Sequence, residues 1–193
     1  MYKVFGKRAL DLLLSILMLI LTSPILLVSM LIIKLDSKGP IMFNQERVGL
    51  NGKTFRVFKL RTMKHNNERH ERQVFDGNPE VTKVGAWLRR AKIDELPQLF
   101  NILMGDMSFV GPRPALRETI ARLDENGHYR LKVRPGLTGL AQINGNIYLS
   151  WPERWVYDRK YVEQMSFALD LRILMKTVAI VIWGEKRFLH KIK

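Results

Sequence analysis

The sequence predicts a small, helix-rich α/β domain that is joined to an N-terminal membrane segment. Two observations predict this fold. Residues 12–33 form an uncharged apolar stretch, and the rest of the chain alternates short β-forming and helix-forming patterns with glycine- and proline-rich turns. The length of 193 residues suits one compact domain in addition to a membrane segment. We therefore divide the chain into a membrane segment, residues 1–35, and a membrane-associated domain, residues 36–193.

The membrane segment carries no charged residue between positions 12 and 33, and about 20 apolar residues are enough to cross a bilayer. Pro24 lies in its middle and removes one helical hydrogen bond, but the hydroxyls of Thr22 and Ser23 can bond the carbonyl groups that the proline frees. Basic residues flank the segment on both sides, so the positive-inside rule gives no clear orientation. A kinked single span and a re-entrant helix-break-helix both fit, and the residues alone favour the span.

The membrane-associated domain begins with a predicted β-hairpin over residues 41–61, whose turn lies at residues 49–53. The polar and charged residues 63–79 predict an exposed loop. Short helices are predicted at residues 84–91, 96–104 and 114–125. Residues 134–146 are rich in glycine and predict a loop around a short strand. These elements give the domain its mixed α/β character.

The C-terminal part predicts further helices. Ser150 and Glu153 form a capping box with Pro152 inside the first turn, which marks the start of a helix. Residues 173–183 are apolar but are interrupted by Lys176, so this stretch is too short and too mixed to span a bilayer. The pattern fits an amphipathic helix in the membrane interface and a terminal core helix equally well. We include interfacial amphipathic helices in the predicted fold.

The composition is strongly basic, with 32 Lys and Arg against 18 Asp and Glu and a formal net charge of +14. Such a balance favours an anionic partner, which is a nucleic acid, an anionic membrane surface or a phosphorylated substrate. No recognised nucleic-acid-binding motif accompanies the charge, so we expect no nucleic-acid partner. The absence of cysteine excludes disulfides, thiol nucleophiles and thiolate metal sites.

An adjacent acidic pair, Asp94 and Glu95, follows three cations and precedes a predicted helix. In isolation Asp94 is typical of a helix N-cap and Glu95 of a first-turn residue that the helix dipole stabilises. Two adjacent carboxylates are also a plausible Mg²⁺ site, because Mg²⁺ usually takes one or two protein carboxylates together with phosphate oxygens. An ionised carboxylate can in addition act as a nucleophile. The structural role at the helix start and the chemical roles are compatible.

Cations and glycines that suit phosphate groups lie elsewhere in the chain. Arg113 stands between two prolines that stiffen its backbone, which favours bidentate phosphate binding. Lys59 belongs to a basic run that includes Thr62, and residues 134–145 form a glycine-rich loop without the spacing of a P-loop. Each feature has an ordinary structural explanation by itself. Together they supply a nucleophile, a metal site and phosphate-binding cations, which is what phosphoryl transfer needs.

Five ordered motifs identify a family. The chain resembles the bacterial sugar transferases, which are monotopic phosphoglycosyl transferases, and it is similar to their minimal members, which consist of the catalytic domain alone. The matching motifs are residues 21–24 (Leu-Thr-Ser-Pro), 58–63 (Phe-Lys-Leu-Arg-Thr-Met), 93–98 (Ile-Asp-Glu-Leu-Pro-Gln), 105–114 (Gly-Asp-Met-Ser-Phe-Val-Gly-Pro-Arg-Pro) and 134–139 (Arg-Pro-Gly-Leu-Thr-Gly).

The resemblance implies a re-entrant membrane helix that is broken at Ser23 and Pro24, with the catalytic domain on the cytoplasmic face of the bacterial plasma membrane. It implies a two-step reaction in which Asp94 attacks the β-phosphate of a UDP-sugar and releases UMP. Undecaprenyl phosphate then takes the sugar phosphate from the aspartyl intermediate, in the first membrane step of glycoconjugate synthesis. Asp94 and Glu95 are implied to engage Mg²⁺.

The resemblance also assigns the cations. Lys59, Arg89 and Arg113 match positions that contact phosphate, and we add Arg134 and Thr62 as substrate-binding residues because they lie in matching motifs. Asn146 stands where we expect a basic residue in close relatives, so the transferred sugar stays open. The glycan pathway is equally open, and exposed aromatic residues leave room for a homodimer.

Overall fold

The computed structural model of the chain describes residues 2–64 and 79–184. Most of the predicted loop at 63–79 lies outside this part, as do the basic residues after position 184. The helices are α1 (Lys7–Asp36), α2 (Lys83–Arg90), α3 (Gln98–Met104), α4 (Arg117–Ile120), α5 (Glu125–His128), α6 (Leu140–Ile143), α7 (Trp151–Gln164) and α8 (Phe167–Trp183). The strands are β1 (Met42–Val48), β2 (Thr54–Leu60), β3 (Ser108–Val110) and β4 (Gly136–Thr138). The predicted helix-rich α/β character is confirmed.

Helix α1 is continuous through Pro24, where we predicted two helices with a break. The missing amide of Pro24 leaves the carbonyl of Ile20 without its normal helical partner. The Ser23 hydroxyl donates a hydrogen bond of 2.9 Å to that carbonyl, and Thr22 Oγ1 donates to the carbonyl of Met18 at 2.7 Å. The local hydroxyls therefore replace what the proline removes, so the helix continues.

One face of α1 packs along the domain, whereas the other faces are apolar and exposed. Met18 and Leu19 pack against a buried cluster that contains Leu99, and Leu26 and Ile33 belong to a second cluster. The exposed apolar residues include Leu13, Leu17, Ile20, Leu21, Leu27, Val28, Leu31 and Leu35. The helix is long and apolar enough to cross a membrane.

Both ends of α1 bind to the same domain. Near its start, Arg8 donates to the carbonyls of Ile102 at 2.6 Å and Leu103 at 2.9 Å, at the end of α3. At its end, Arg61 donates to the carbonyls of Ser37 at 2.6 Å and Lys38 at 2.9 Å. Arg8 therefore attaches the start of α1 to α3, and Arg61 attaches the residues directly after α1 to the end of β2.

The predicted hairpin is confirmed. Strands β1 and β2 are antiparallel and pair from Met42 opposite Leu60 to Val48 opposite Thr54. Strands β3 and β4 form a separate parallel pair, which brings the two glycine-containing motifs, residues 105–114 and 134–139, side by side. At Gly136 a Cβ atom would lie 2.1 Å from the amide nitrogen of Gly111, so only glycine permits this close approach.

The predicted short helices are confirmed in part. Helices α2 and α3 lie where two of them were expected. The third prediction, residues 114–125, is met only over the four residues of α4, and a separate helix, α5, begins at its end. The expected capping box at α7 is present, with the Ser150 amide donating to Glu153 at 2.7 Å. Helix α8 buries Asp170 and Ile173 on one face and exposes apolar residues on another.

Candidate active site

The acidic pair lies in a tight connection between α2 and α3. Lys92 has a positive φ of 58°, and residues Ile93–Glu95 follow it as a single 3₁₀ turn. Pro97 is the N-cap of α3, and no side chain caps this helix. The interpretation of Asp94 as the N-cap of α3 is therefore wrong. The left-handed turn at Lys92 instead places Asp94 and Glu95 next to the cations of other elements.

Glu95 is held by two cations from distant parts of the chain. Its Oε1 accepts a hydrogen bond from Lys59 Nζ of β2 at 3.0 Å and from Arg113, in the loop after β3, at 2.5 Å. Burial by itself would raise the pKa of Glu95, but Arg113 and Lys59 together lower this pKa well below its usual range. Glu95 is therefore ionised at neutral pH and fixes Arg113 together with Lys59, whose charge also acts on Asp94.

Asp94 lies in the same place but has a different environment. Asp94 is buried, with 8% of its surface exposed. No residue in ranges 2–64 and 79–184 forms a hydrogen bond or an ion pair with its carboxyl group. Burial and then the negative charge of Glu95 raise its pKa to about 6, against the opposing effect of Lys59 and other nearby cations. Asp94 is thus a largely ionised carboxylate at neutral pH whose oxygens are uncommitted, which suits a nucleophile.

Thr62 and Arg89 contact one another at the edge of the acidic pair. Arg89 Nε donates to Thr62 Oγ1 at 2.8 Å, and Arg89 is among the cations whose charge lowers the pKa of Asp94. Thr62 is itself buried, and Gly85 of α2 packs directly on its carbonyl group. The Thr62 side chain therefore orients Arg89 towards the site.

Arg134 contacts the end of α3. Its Nε donates to the carbonyl of Gly105 at 2.7 Å, at the C-terminal end of α3. Arg8 donates to carbonyls of the same helix end. The acidic pair precedes the opposite end of α3, so this contact does not bring Arg134 to Asp94. The structure gives Arg134 the role of a helix-end cap.

The acidic pair fits the requirements of Mg²⁺ only in a limited way. Within the described residues, no group of three or more acidic, histidine or cysteine side chains is arranged to hold a metal ion. The protein would therefore contribute one or two carboxylates, and substrate phosphates would have to complete the shell, as is usual for this ion. Asp94 has uncommitted oxygens, and Oε1 of Glu95 already accepts from two cations.

Two residues that lie in the site region of the structure were not identified from the sequence. Arg130 donates to the backbone carbonyl of Arg113, and its guanidinium lies 3.7 Å from Asp158 of α7. Arg130 stands in a polar stretch outside the five motifs, and Asp158 lies in the middle of an amphipathic helix. No local pattern distinguishes either residue from an ordinary surface charge, although both are buried in the structure.

Comparison with known proteins identifies relatives over almost the whole chain. The sequence model of the family described as "Bacterial sugar transferase" matches residues 2–184. The exopolysaccharide production protein ExoY of Sinorhizobium fredii is 40% identical over 192 residues, and the match covers 91% of this chain and 85% of that protein.

Two longer relatives carry descriptive names. The UDP-N-acetylgalactosamine-undecaprenyl-phosphate N-acetylgalactosaminephosphotransferase of Aeromonas hydrophila is 40% identical, with 93% of this chain and 44% of that protein covered. The UDP-glucose:undecaprenyl-phosphate glucose-1-phosphate transferase of Escherichia coli is 43% identical, with 89% of this chain and 39% of that protein covered. The predicted family is thus confirmed: this chain is an enzyme of the bacterial sugar transferase family.

Proposed function

We propose that the protein transfers a sugar-1-phosphate from a UDP-sugar to undecaprenyl phosphate, through a covalent intermediate on Asp94. The observation that carries this proposal is the buried carboxylate of Asp94, which is uncommitted while its neighbour Glu95 holds two cations. The two longer relatives are named for this class of donor and acceptor. Because those names specify two different sugars, they leave the sugar of this protein open.

In the first step an Asp94 oxygen forms a bond to the β-phosphorus of the UDP-sugar. The bond between that phosphorus and the oxygen that bridges to the α-phosphorus breaks, and UMP leaves with the electron pair. The sugar phosphate then remains on Asp94 as an acyl phosphate. In the second step a phosphate oxygen of undecaprenyl phosphate attacks the same phosphorus, and the bond to Asp94 breaks. The product is undecaprenyl diphosphate sugar, and the carboxylate is regenerated.

The cations around Asp94 explain how two negatively charged groups can meet there. Lys59 and Arg113 are positioned by Glu95, and Arg89 is positioned by Thr62. Each of these cations can contact oxygens of the diphosphate and stabilise charge that develops on the leaving UMP. Glu95 therefore acts as a positioning residue.

We propose Mg²⁺ as the cofactor, held by Asp94 and Glu95 together with phosphate oxygens. When bound, the ion neutralises charge on the diphosphate of the donor. The two adjacent carboxylates beside several cations support this assignment, because Mg²⁺ usually takes one or two protein carboxylates together with phosphate oxygens. Loss of activity in EDTA and its recovery on addition of Mg²⁺ test it.

We propose in addition that α1 bends at Pro24 within one helix and is re-entrant, so that the enzyme is monotopic and lies on the cytoplasmic face of the plasma membrane. The attachment of both helix ends to one domain supports this topology, since a crossing helix would carry its ends to opposite sides. The exposed apolar side chains of α1 and α8 support contact with lipid, and α8 then acts as an interfacial helix.

The experiment that tests the reaction is UMP release. Purified enzyme in nanodiscs receives Mg²⁺, undecaprenyl phosphate and one UDP-sugar at a time from a panel. We expect metal-dependent UMP release with one donor, and its loss by at least about 10³-fold in Asp94→Asn. Glu46→Gln, which changes a half-exposed carboxylate with only a 4.0 Å ion pair, is the matched control. Full activity in Asp94→Asn would exclude the covalent intermediate.

A further inference from the structure

The loop that carries Arg113 is fixed at three successive backbone carbonyls. The carbonyl of Pro112 accepts from the amide of Gly136 at 2.8 Å, and the carbonyl of Pro114 accepts from Arg47 at 3.2 Å. Between them, the carbonyl of Arg113 accepts from the guanidinium of Arg130 at 2.5 Å. Two of the three contacts come from charged side chains, which form stronger hydrogen bonds than neutral donors.

Arg130 reaches Arg113 from a buried position. It lies in the 3₁₀ turn Tyr129–Lys132 and is 7% exposed. Its guanidinium lies 3.7 Å from Oδ2 of Asp158, which is 3% exposed and belongs to α7. The contacts therefore run from α7 through Asp158 and Arg130 to the backbone of Arg113, whose side chain reaches Glu95 at the catalytic pair.

The stability of the fold does not account well for this arrangement. Burying an ion pair costs desolvation free energy that the attraction between the charges often fails to offset. Arg130 is moreover incompletely satisfied, because its second terminal nitrogen has no hydrogen-bond partner in the described structure. A neutral donor would satisfy the Arg113 carbonyl at lower cost. The pair does, however, fix the direction from which the Arg113 side chain leaves the loop.

That direction matters because the Arg113 side chain is itself half-exposed, at 49%. A long side chain in such a position loses rotamer entropy when it binds an anion, and a fixed backbone reduces the volume that it has to search. We propose that Asp158 and Arg130 are positioning residues, which hold the backbone of Arg113 so that its guanidinium is ready to bind the diphosphate of the donor. The choice of ligand rests on the proposed function.

A double-mutant cycle on UDP binding tests the proposal without requiring turnover. The full chain in detergent is titrated with UDP and Mg²⁺ by calorimetry, as wild type, Asp158→Asn, Arg113→Ala and the double variant. We expect Asp158→Asn to weaken UDP binding by about 5-fold and Arg113→Ala by about 20-fold, the size of one charge-assisted contact. If Asp158 acts through Arg113, the double variant binds UDP about as weakly as Arg113→Ala alone.

The matched control is Trp155→Leu, which truncates a buried side chain on the same helix, α7, and removes no charge. It should lower the melting temperature, and its effect on UDP binding should be small and independent of Arg113. If Asp158→Asn fails to fold, Arg130→Lys replaces it in the cycle, because lysine keeps the positive charge but lacks the planar set of guanidinium N–H donors.

Two results would overturn the positioning role. One is a Kd for UDP that Asp158→Asn or Arg130→Lys leaves unchanged. The other is a double variant whose loss equals the product of the two single losses, since that means independent action. UMP release by the wild type is measured in parallel. Coupled UDP binding without any UMP release would refute the proposed reaction and leave the positioning role standing.

Discussion

Asp94 and Glu95 are adjacent in the chain, yet their carboxyl groups have opposite electrostatic environments. Glu95 accepts from Lys59 and Arg113, which lower its pKa, whereas burial and the charge of Glu95 raise the pKa of Asp94 to about 6. Neighbouring carboxyls whose pKa values are pushed apart are typical of sites in which the two groups have different roles. Here the ionised Glu95 organises cations, and Asp94 is left available for chemistry.

The first prediction concerns the pH dependence of activity. Asp94 is a nucleophile only when it is ionised, and its pKa is about 6. We therefore expect kcat/KM for the UDP-sugar to rise about tenfold per pH unit below pH 6 and to reach a plateau above it. Steady-state UMP release between pH 4.5 and 8 measures this profile. A profile that is flat down to pH 4.5 would contradict the raised pKa.

The second prediction concerns the stability of Asp94→Asn. Because the folded-state pKa of Asp94 lies above its ordinary value of 3.8, the ionised carboxylate destabilises the fold above pH 6. Asparagine removes this cost, so the variant should be more stable than the wild type by about 2 kcal/mol at pH 7.5. The difference should shrink as the pH falls through 6 towards 4, where the wild type is protonated.

Denaturant unfolding at pH 7.5 and 4.5 measures this difference, and Glu95→Gln provides a control of opposite sign. The pKa of Glu95 is lowered in the folded state, so its ionised form stabilises the fold above pH 4.5. Glu95→Gln should therefore lose stability at pH 7.5. A stability gain in Asp94→Asn that does not depend on pH would show that another effect is responsible.

The third prediction concerns the proline in α1. The Ser23 hydroxyl donates to the Ile20 carbonyl, which has no amide donor because Pro24 lacks a backbone N–H. Ser23→Ala should therefore cost about 1 kcal/mol of stability in the wild type and almost nothing in a Pro24→Ala background, where the alanine amide restores the helical bond. Thermal unfolding of the four proteins in nanodiscs measures the coupling. Equal losses in both backgrounds would indicate that the hydroxyl has another role.

The fourth prediction concerns the topology of α1. The chain has no cysteine, so single cysteines can be introduced without background labelling. Lys3→Cys and Lys38→Cys replace exposed residues beyond the two ends of the helix. We expect a membrane-impermeant maleimide to label both positions only after the inner membrane is opened. Labelling of either position alone in cells whose outer membrane only is opened would refute the re-entrant topology.

The features that the sequence predicted correctly depend on residues close together in the chain. The hairpin turn, the capping box of α7 and the hydroxyl that compensates for Pro24 involve contacts within about five residues, and such contacts leave a readable pattern. Whether α1 is interrupted at Pro24 depends on a contact of the same local kind. The cost of a proline is set by whether Ser23 satisfies the Ile20 carbonyl, and the proline by itself does not reveal the outcome.

The sequence by itself determined the family, an apolar membrane segment and the presence of an acidic pair among cations. The tertiary structure decided which cations meet that pair. Lys59 is 36 positions from Glu95 and Arg113 is 18, so their convergence depends on how β2, the 3₁₀ turn and the loop after β3 pack. The same packing assigned Arg134 to a helix end and buried Arg130 behind Arg113. Charge is visible in a sequence, but the partner of each charge is fixed only when the chain is folded.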